Sequence, residues 1–362
     1  MRIIQLMPTL SFGDAVGNDA IALQNTIVGM GYRTKIYAEN VPDRYLREGI
    51  AKKVEDMPVL TSEDVLIYHL STGTNLNNIL PSLTCQKICI YHNITPPSFF
   101  AGYDRRSFRL TQQAYIQVEK LKDVFDCCIA DSEYNKQDLL DMGYRCPIYV
   151  LPILIPFEDY KKMPDAKVKR WYADGRTNLL FVGRVAPNKC HQDVISAFAV
   201  YKKQYDADAR LFLVGSYRNE ESYYLSLCDY YRRLGLTDSD VVFLGHISFE
   251  EILAYYTMAD VFVCMSEHEG FCVPLVEAMC FQVPIVAYHS SAVPETLKGA
   301  GLLLEDKHPA YVAAAIHRLL NDEALRIDLQ KKAERRLSEF SYSVISQCFE
   351  KLLTDFIPIH EE

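Results

Sequence analysis

Short apolar runs recur along the chain, separated by longer stretches whose apolar positions return at helical spacing. The runs at 2–7 (RIIQLM), 34–38, 64–69 (DVLIYH), 87–92 (KICIYH), 126–131 (DCCIAD) and 148–152 predict strands. Helices are expected at 18–31, 75–81, about 105–124 and 133–142. The rhythm then restarts, with strands expected at 178–183, 210–215, 241–245, 260–265, 284–288 and 301–304, and helices between them. Continuous apolar strands flanked by helices indicate parallel sheets covered on both faces. The fold class is therefore α/β, with two doubly wound Rossmann-like domains.

The polar, basic, proline-bearing stretch around 155–176 marks the break. We expect a first domain at 1–160, a linker at 161–176 and a second domain at 177–340, with a cleft between the domains. Residues 341–362 begin with an amphipathic segment (SYSVISQCFEKLLTDFI) that is expected to form a helix packing back on the first domain.

A chain of 362 residues exceeds one ordinary core, in keeping with two domains. The net charge of −9 is uneven. Residues 1–175 hold 20 basic and 21 acidic groups, leaving 18 of the 38 basic and 26 of the 47 acidic groups for 176–362. No basic face suited to nucleic acid emerges. The eleven cysteines show no metal spacing and read as reduced core thiols of a cytoplasmic protein. The opening MRIIQLMP lacks a signal-peptide layout, and no apolar run reaches the roughly 18 residues of a membrane span. The stretch 105–125 is basic at its start with apolar residues at helical spacing. It reads either as a helix covering the first sheet or as a peripheral contact with the inner face of the membrane.

Candidate chemistry gathers at strand ends. After the run DVFVCM, the segment SEHEGFC is polar and glycine-bearing, and Pro274 suits the first turn of a helix. A helix N-terminus at the carboxyl edge of a parallel sheet attracts phosphate. Glu269 on the loop and Glu277, expected in the first helical turn, would accept hydrogen bonds from sugar hydroxyls. Taken alone, they read equally as acids complementing the helix dipole. In LLFVGRVAPNKCHQDVISAF a strand ends at Gly183, and Arg184 and Lys189 follow. Two cations there could hold a diphosphate, or be solvated loop residues. Near the start, PTLSFGDAVGNDAI offers Gly13 and Gly17 for close backbone approach, with Asp14 and Asn18 beside them. Asn18 reads equally as a helix N-cap. His69 and His92 each end a buried-looking strand at its carboxyl edge. Asp238-Ser239-Asp240 imitates a metal-binding DxD, but precedes a strand and reads as a turn.

The ordered segments FVGRVAPNKCHQDVISAF, SEHEGFCVPLVEAM and HSSAVPETL…AGLLLE resemble the family 4 retaining glycosyltransferases of the GT-B fold, most strongly over about 178–340. YHNITPP resembles bacterial members that build surface polysaccharides. The resemblance implies transfer of a hexose, with retention, from a nucleoside diphosphate sugar to a saccharide or lipid-linked acceptor. GDP-mannose-like and UDP-hexose donors both stay open, and no metal or other cofactor is expected. Arg184 and Lys189 match diphosphate ligands, and Glu277 matches the acid holding the ribose. Glu269 matches the contact to the donor sugar, with Gly183, Gly270, Phe271, Cys272 and Val273 around the donor. His69, with Asp64 five positions before it, resembles the family's histidine near the transferred sugar, and His92 matches the histidine of the next strand. The family usually has glycine where Cys272 stands and again near Gln282. A nucleotide-sugar epimerase of the same fold, or a non-catalytic sugar-binding subunit, are the rival readings.

Overall fold

The computed structural model describes residues 1–11, 13–218 and 221–357. Its first strands are β1 (Arg2–Thr9), β2 (Arg33–Asn40), β3 (Ala51–Lys53), β4 (Val65–Leu70), β5 (Gln86–Tyr91), β6 (Cys127–Ala130) and β7 (Ile148–Val150). They form one sheet in the order β3-β2-β1-β4-β5-β6-β7, every pair parallel. The strands that follow are β8 (Asn178–Val182), β9 (Arg210–Val214), β10 (Val241–Gly245), β11 (Val261–Cys264), β12 (Ile285–Tyr288) and β13 (Leu302–Leu304). They form a second parallel sheet in the order β10-β9-β8-β11-β12-β13. Among the strands of the described residues, β3 alone lacked a sequence signal. It is a short edge strand, AKK, with Ala51 alone buried, so no apolar run announces it.

The chain divides into two compact units, and the division is not collinear with the sequence. The first comprises Met1–Pro97, Arg109–Pro156 and the chain from Glu339; the second comprises Ser98–Phe108 and Phe157–Ser338. Ser98–Phe108 thus departs from the expected first domain. Its aromatic residues explain the assignment: Phe99 lies against the His268 ring at 6.0 Å, and Tyr103 meets Tyr223 edge-on at 5.1 Å. The expected linker is also partly helix. Asp165 caps Ala166–Trp171 by accepting from the amides of Lys167 and Val168, and Val168 joins the second unit's core.

In the first unit, alternate residues of each strand feed opposite faces of the sheet. Leu66, Tyr68 and Leu70 join one buried cluster, whereas Val65 and Ile67 join another. Helix Tyr342–Phe356 covers the second face, placing Ile345, Phe349 and Leu353 at successive helical turns against Ile3, Ile27 and Ile67. Tyr342 donates to the Ala22 carbonyl at 3.2 Å. Residues 358–362 of the expected final segment lie outside the described residues.

Each sheet reverses its strand order once, between β1 and β4 in the first and between β8 and β11 in the second. Open parallel sheets bind ligands outside the carboxyl ends of their strands at such reversals. No helix of the described residues is long and apolar enough to cross a membrane.

Candidate active site

In the second unit, the loops leaving β8 and β11 meet at the reversal. Gly183 follows β8 and lies against Gly215, the residue after β9. A Cβ on Gly215 would stand 1.9 Å from the Gly183 carbonyl oxygen, so this approach admits only glycine. The chain then turns through the short 3₁₀ segment Pro187–Lys189. Lys189 Nζ donates to both carboxylate oxygens of Glu269, each at 2.6 Å. Burial works against the ammonium, but the Glu269 carboxylate overrides it and holds the Lys189 pKa above its ordinary value. Arg184, by contrast, is exposed.

The loop after β11 is tied down from two sides. Glu267 N–H donates to the Asn188 carbonyl at 2.9 Å, and Asn188 Nδ2 donates to the His268 carbonyl at 3.0 Å. Lys307 bonds Asp193 at 2.6 Å and also pairs with Glu267. From the other side, Ser291 Oγ accepts from the Glu269 amide at 2.8 Å and Ser290 Oγ donates to the Ser266 carbonyl at 2.6 Å. Thr296 bonds the Phe271 carbonyl. The HSSAVPETL segment therefore clamps the loop that carries Glu269.

Helix Val273–Cys280 starts after Cys272, which is left-handed at φ 72°. Gln282, just past the helix, is also left-handed at φ 55°. Both positions expected to differ from glycine thus carry a conformation that glycine adopts without strain. Glu277 is the fifth residue of this helix, not in its first turn as expected, because the helix begins at Val273. Its carboxylate accepts from Tyr160 at 2.8 Å and from Tyr256 at 2.7 Å. Burial raises its pKa, while the two tyrosine hydroxyls pull it back down. Both oxygens are oriented and each retains a lone pair for a further hydroxyl.

In the first unit, Asp14 caps helix Ala15–Gly29 by accepting from the Gly17 amide at 3.3 Å. Asn18 lies inside that helix, so the cap reading for it is overturned in favour of Asp14. Gly13 is left-handed at φ 67°, whereas Gly17 permits contact: a Cβ there would be 3.0 Å from the Ser11 carbonyl oxygen. His69 is fully enclosed, with Nε2 2.8 Å from Gln5 Oε1 and Nδ1 2.9 Å from His92 Nε2. His92 Nδ1 lies 3.0 Å from Asp131 Oδ2. Asp19 faces this pair, and burial pushes its carboxyl up to about 7.

Sequence spacing suggested no metal cluster, yet among the described residues folding brings three groups of His, Cys, Asp and Glu side chains together: Asp19/His69/His92, Cys264/Glu269/Cys272 and Cys190/Asp193/Glu267. Each is already served internally. The histidine rings bond each other and their neighbours, Lys189 pairs with Glu269, and Lys307 pairs with Asp193 and Glu267. Asp238 bonds Tyr231 and Arg232, and Asp240 bonds Thr237, before the amino end of β10. Gln5, Asp131, Tyr160, Asn188 and Tyr256 were missed by sequence reasoning. Gln5 had a signal, as the lone uncharged polar residue inside the apolar run RIIQLM.

Residues 165–336, most of the second unit, match the family model described as glycosyl transferases group 1. The capsular polysaccharide biosynthesis glycosyltransferase CapM of Staphylococcus aureus is 28% identical over 182 residues, 49% of this chain and 46% of that protein. A D-inositol 3-phosphate glycosyltransferase of Kineococcus radiotolerans is 27% identical over 64% of this chain and 58% of that protein. The matched region thus spans about half the length of these curated relatives. Among solved structures, Anabaena Alr3699/HepE in complex with UDP-glucose superposes with a TM-score of 0.77 at 19% identity, covering 98% of this chain and 100% of that one. Sucrose-phosphate synthase from Thermosynechococcus elongatus gives 0.75 at 16% identity, covering 98% and 99%. The fold is GT-B, with two parallel-sheet α/β domains.

Proposed function

We propose that the protein is a family 4 retaining glycosyltransferase moving a hexose from a nucleoside diphosphate sugar to a saccharide or lipid-linked hydroxyl. The observation that carries this is the reversal between β8 and β11. There the Lys189–Glu269 pair, with its carboxylate buried, precedes helix Val273–Cys280, which carries the tyrosine-held Glu277, inside the segment that matches the family. Arg184 and Lys189 take the diphosphate, supplying the charge that a metal supplies elsewhere. Gly183, Gly270, Phe271, Cys272 and Val273 form the backbone surface around it. Glu277 accepts from the ribose hydroxyls and Glu269 from the donor sugar. The first unit takes the acceptor beside Gly13, Asp14, Gly17 and Asn18, with His69 and His92 at its reversal.

Lys189 bonded to Glu269 suggests how the donor is received. Phosphate oxygens draw the ammonium partly away, and the sugar hydroxyls replace it on the carboxylate. Retention then proceeds on one face of the sugar, with the leaving phosphate accepting the acceptor's proton. A polysaccharide or glycoconjugate role accords with the similarity to the capsular polysaccharide biosynthesis glycosyltransferase CapM. The HepE complex with UDP-glucose supports a nucleotide sugar as donor.

The reading is tested by incubating the chain with UDP-, GDP- and ADP-hexoses and following nucleotide release with and without saccharide acceptors. Acceptor-stimulated release from one donor class is the expected result. An epimerised sugar without release, or no nucleotide binding to any donor, would sink it.

A further inference from the structure

The polar chain from Gln5 to Asp131 holds a proton count that its geometry dictates. Gln5 Nε2 donates to the Ala20 carbonyl at 3.0 Å, which fixes the amide. Turning it over would set its oxygen against that carbonyl oxygen. Its Oε1 therefore faces His69 Nε2 at 2.8 Å, and that nitrogen must carry a hydrogen. At the other end Asp131 Oδ2 stands 3.0 Å from His92 Nδ1. An ionised carboxylate only accepts, so His92 Nδ1 carries a hydrogen too. Between them, His69 Nδ1 and His92 Nε2 are 2.9 Å apart, and two bare lone pairs would repel at that distance. One more hydrogen is required there. Three hydrogens on four ring nitrogens is one more than two neutral imidazoles hold.

We propose that Gln5, His69, His92 and Asp131 form a linear relay in which the histidine pair shares one extra proton and carries a buried positive charge against Asp131. Gln5, His69 and Asp131 are positioning residues acting through His92. The side chains of His92 and Asp131 are 1% and 3% exposed, so water does not compete for the contacts. The rings lie parallel within 2°, with centroids 5.2 Å apart. Burial opposes charge on His92, but Asp131 overrides it and lifts the pKa above the ordinary value, while burial drives His69 far below. The shared proton therefore resides on His92. The other ionisable groups facing the pair are Asp14 and Asp19, at the start of helix Ala15–Gly29.

The extra proton has a use if the transfer proposed above is correct, and this part of the inference rests on that reading. Asp14 and Asp131, joined by Asp19 once the pH exceeds about 7, set negative charge beside the carboxyl edge of β4 and β5, an edge poorly suited to an anionic substrate. A resident imidazolium offsets part of that charge and locks the ends of β4 and β5, from which residues 71–75 and 93–96 leave the sheet. Above the pH at which the proton is lost, the two ring nitrogens repel and the lock opens.

The count is read directly by ¹⁵N NMR of histidine-labelled protein, with the signals assigned by comparison with His69→Gln. A free histidine at pH about 7.5 is only ~10% charged. We expect three protonated nitrogens in the pair at that pH. In Gln5→Met the acceptor for His69 Nε2 is gone, so the pair should relax to two. Two in the wild-type protein, or three in Gln5→Met, would overturn the relay. In nucleotide release, Gln5→Met should move the alkaline limb of the pH profile down by about one unit, with kcat/KM at pH 6 within about threefold of wild type. His69→Gln, whose amide can accept from His92 and donate to Gln5, should keep the limb in place; its loss there would count against the relay. If no donor supports release while the nitrogen count is three, the transfer reading falls and the relay stands.

Discussion

The two reversal points hold charge in different ways. In the first unit a carboxylate, two imidazoles and an amide are wired end to end, and the charged ring is almost fully enclosed. In the second, one lysine meets one carboxylate over a short ion pair whose ammonium side chain remains 20% exposed. A wired chain changes its charge only by losing a proton. An ion pair can exchange partners, because an incoming phosphate and an incoming hydroxyl can each replace one half of it. The first arrangement suits a fixed environment and the second suits a ligand that comes and goes.

Breaking the ion pair should give the largest effect. Lys189→Ala is expected to lower nucleotide release by 10²–10³-fold, the usual cost of losing one charge-stabilising donor. It also leaves Glu269 buried without its partner, so stability should fall by about 3 kcal/mol. Wild-type turnover in this variant would remove Lys189 from the diphosphate.

In the first unit the matching change is Asp19→Asn. Burial lifts the Asp19 carboxyl from 3.8 to about 7, so the folded chain keeps a proton that the unfolded chain has released. Stability therefore falls as pH rises through that window. The asparagine variant should lose this slope and melt at a higher temperature than wild type at pH 8. Parallel stability curves for the two proteins from pH 4 to 8 would show that Asp19 is not the titrating group.

Arg184→Ala sharpens the contrast inside the second unit. Arg184 is exposed, so the melting temperature should stay put while nucleotide release falls about tenfold, the loss of one charge-assisted hydrogen bond. A fall in melting temperature as large as that of Lys189→Ala would erase the distinction between the two cations.

The smallest effect concerns backbone alone. Gln282→Gly should stabilise the chain by roughly 1 kcal/mol by relieving a left-handed side-chain residue, whereas Cys272→Gly sets the same relief against the loss of a buried side chain and should gain less. Denaturant midpoints decide it, and an unchanged or lowered midpoint for both would show that neither position is strained.

Most strands were legible because sheets buried on both faces write continuous apolar runs, as ICIY in β5 and VFVC in β11 do. The three-residue edge strand β3 writes none. The candidate site was legible only as separate pieces. Lys189 and Glu269 are 80 positions apart, and nothing in either neighbourhood announces that they touch. Tyr160 sits in the stretch read as a boundary, and Tyr256 reads as one more apolar position of helix Phe249–Met258. Asp131 follows an apolar strand and reads as its end, although its carboxylate fixes His92. What spacing could not supply was tertiary proximity, and the relay and the loop clamp are made of that.

Cys272 also has a consequence at the level of the genetic code. A cysteine codon becomes a glycine codon through a single base change, whereas a glutamine codon needs two. In a library built by error-prone copying and screened for heat resistance, Cys272→Gly lies within the first round and Gln282→Gly does not. The two ends of one short helix, alike in backbone angle, are unequal in how readily random mutation can reach glycine.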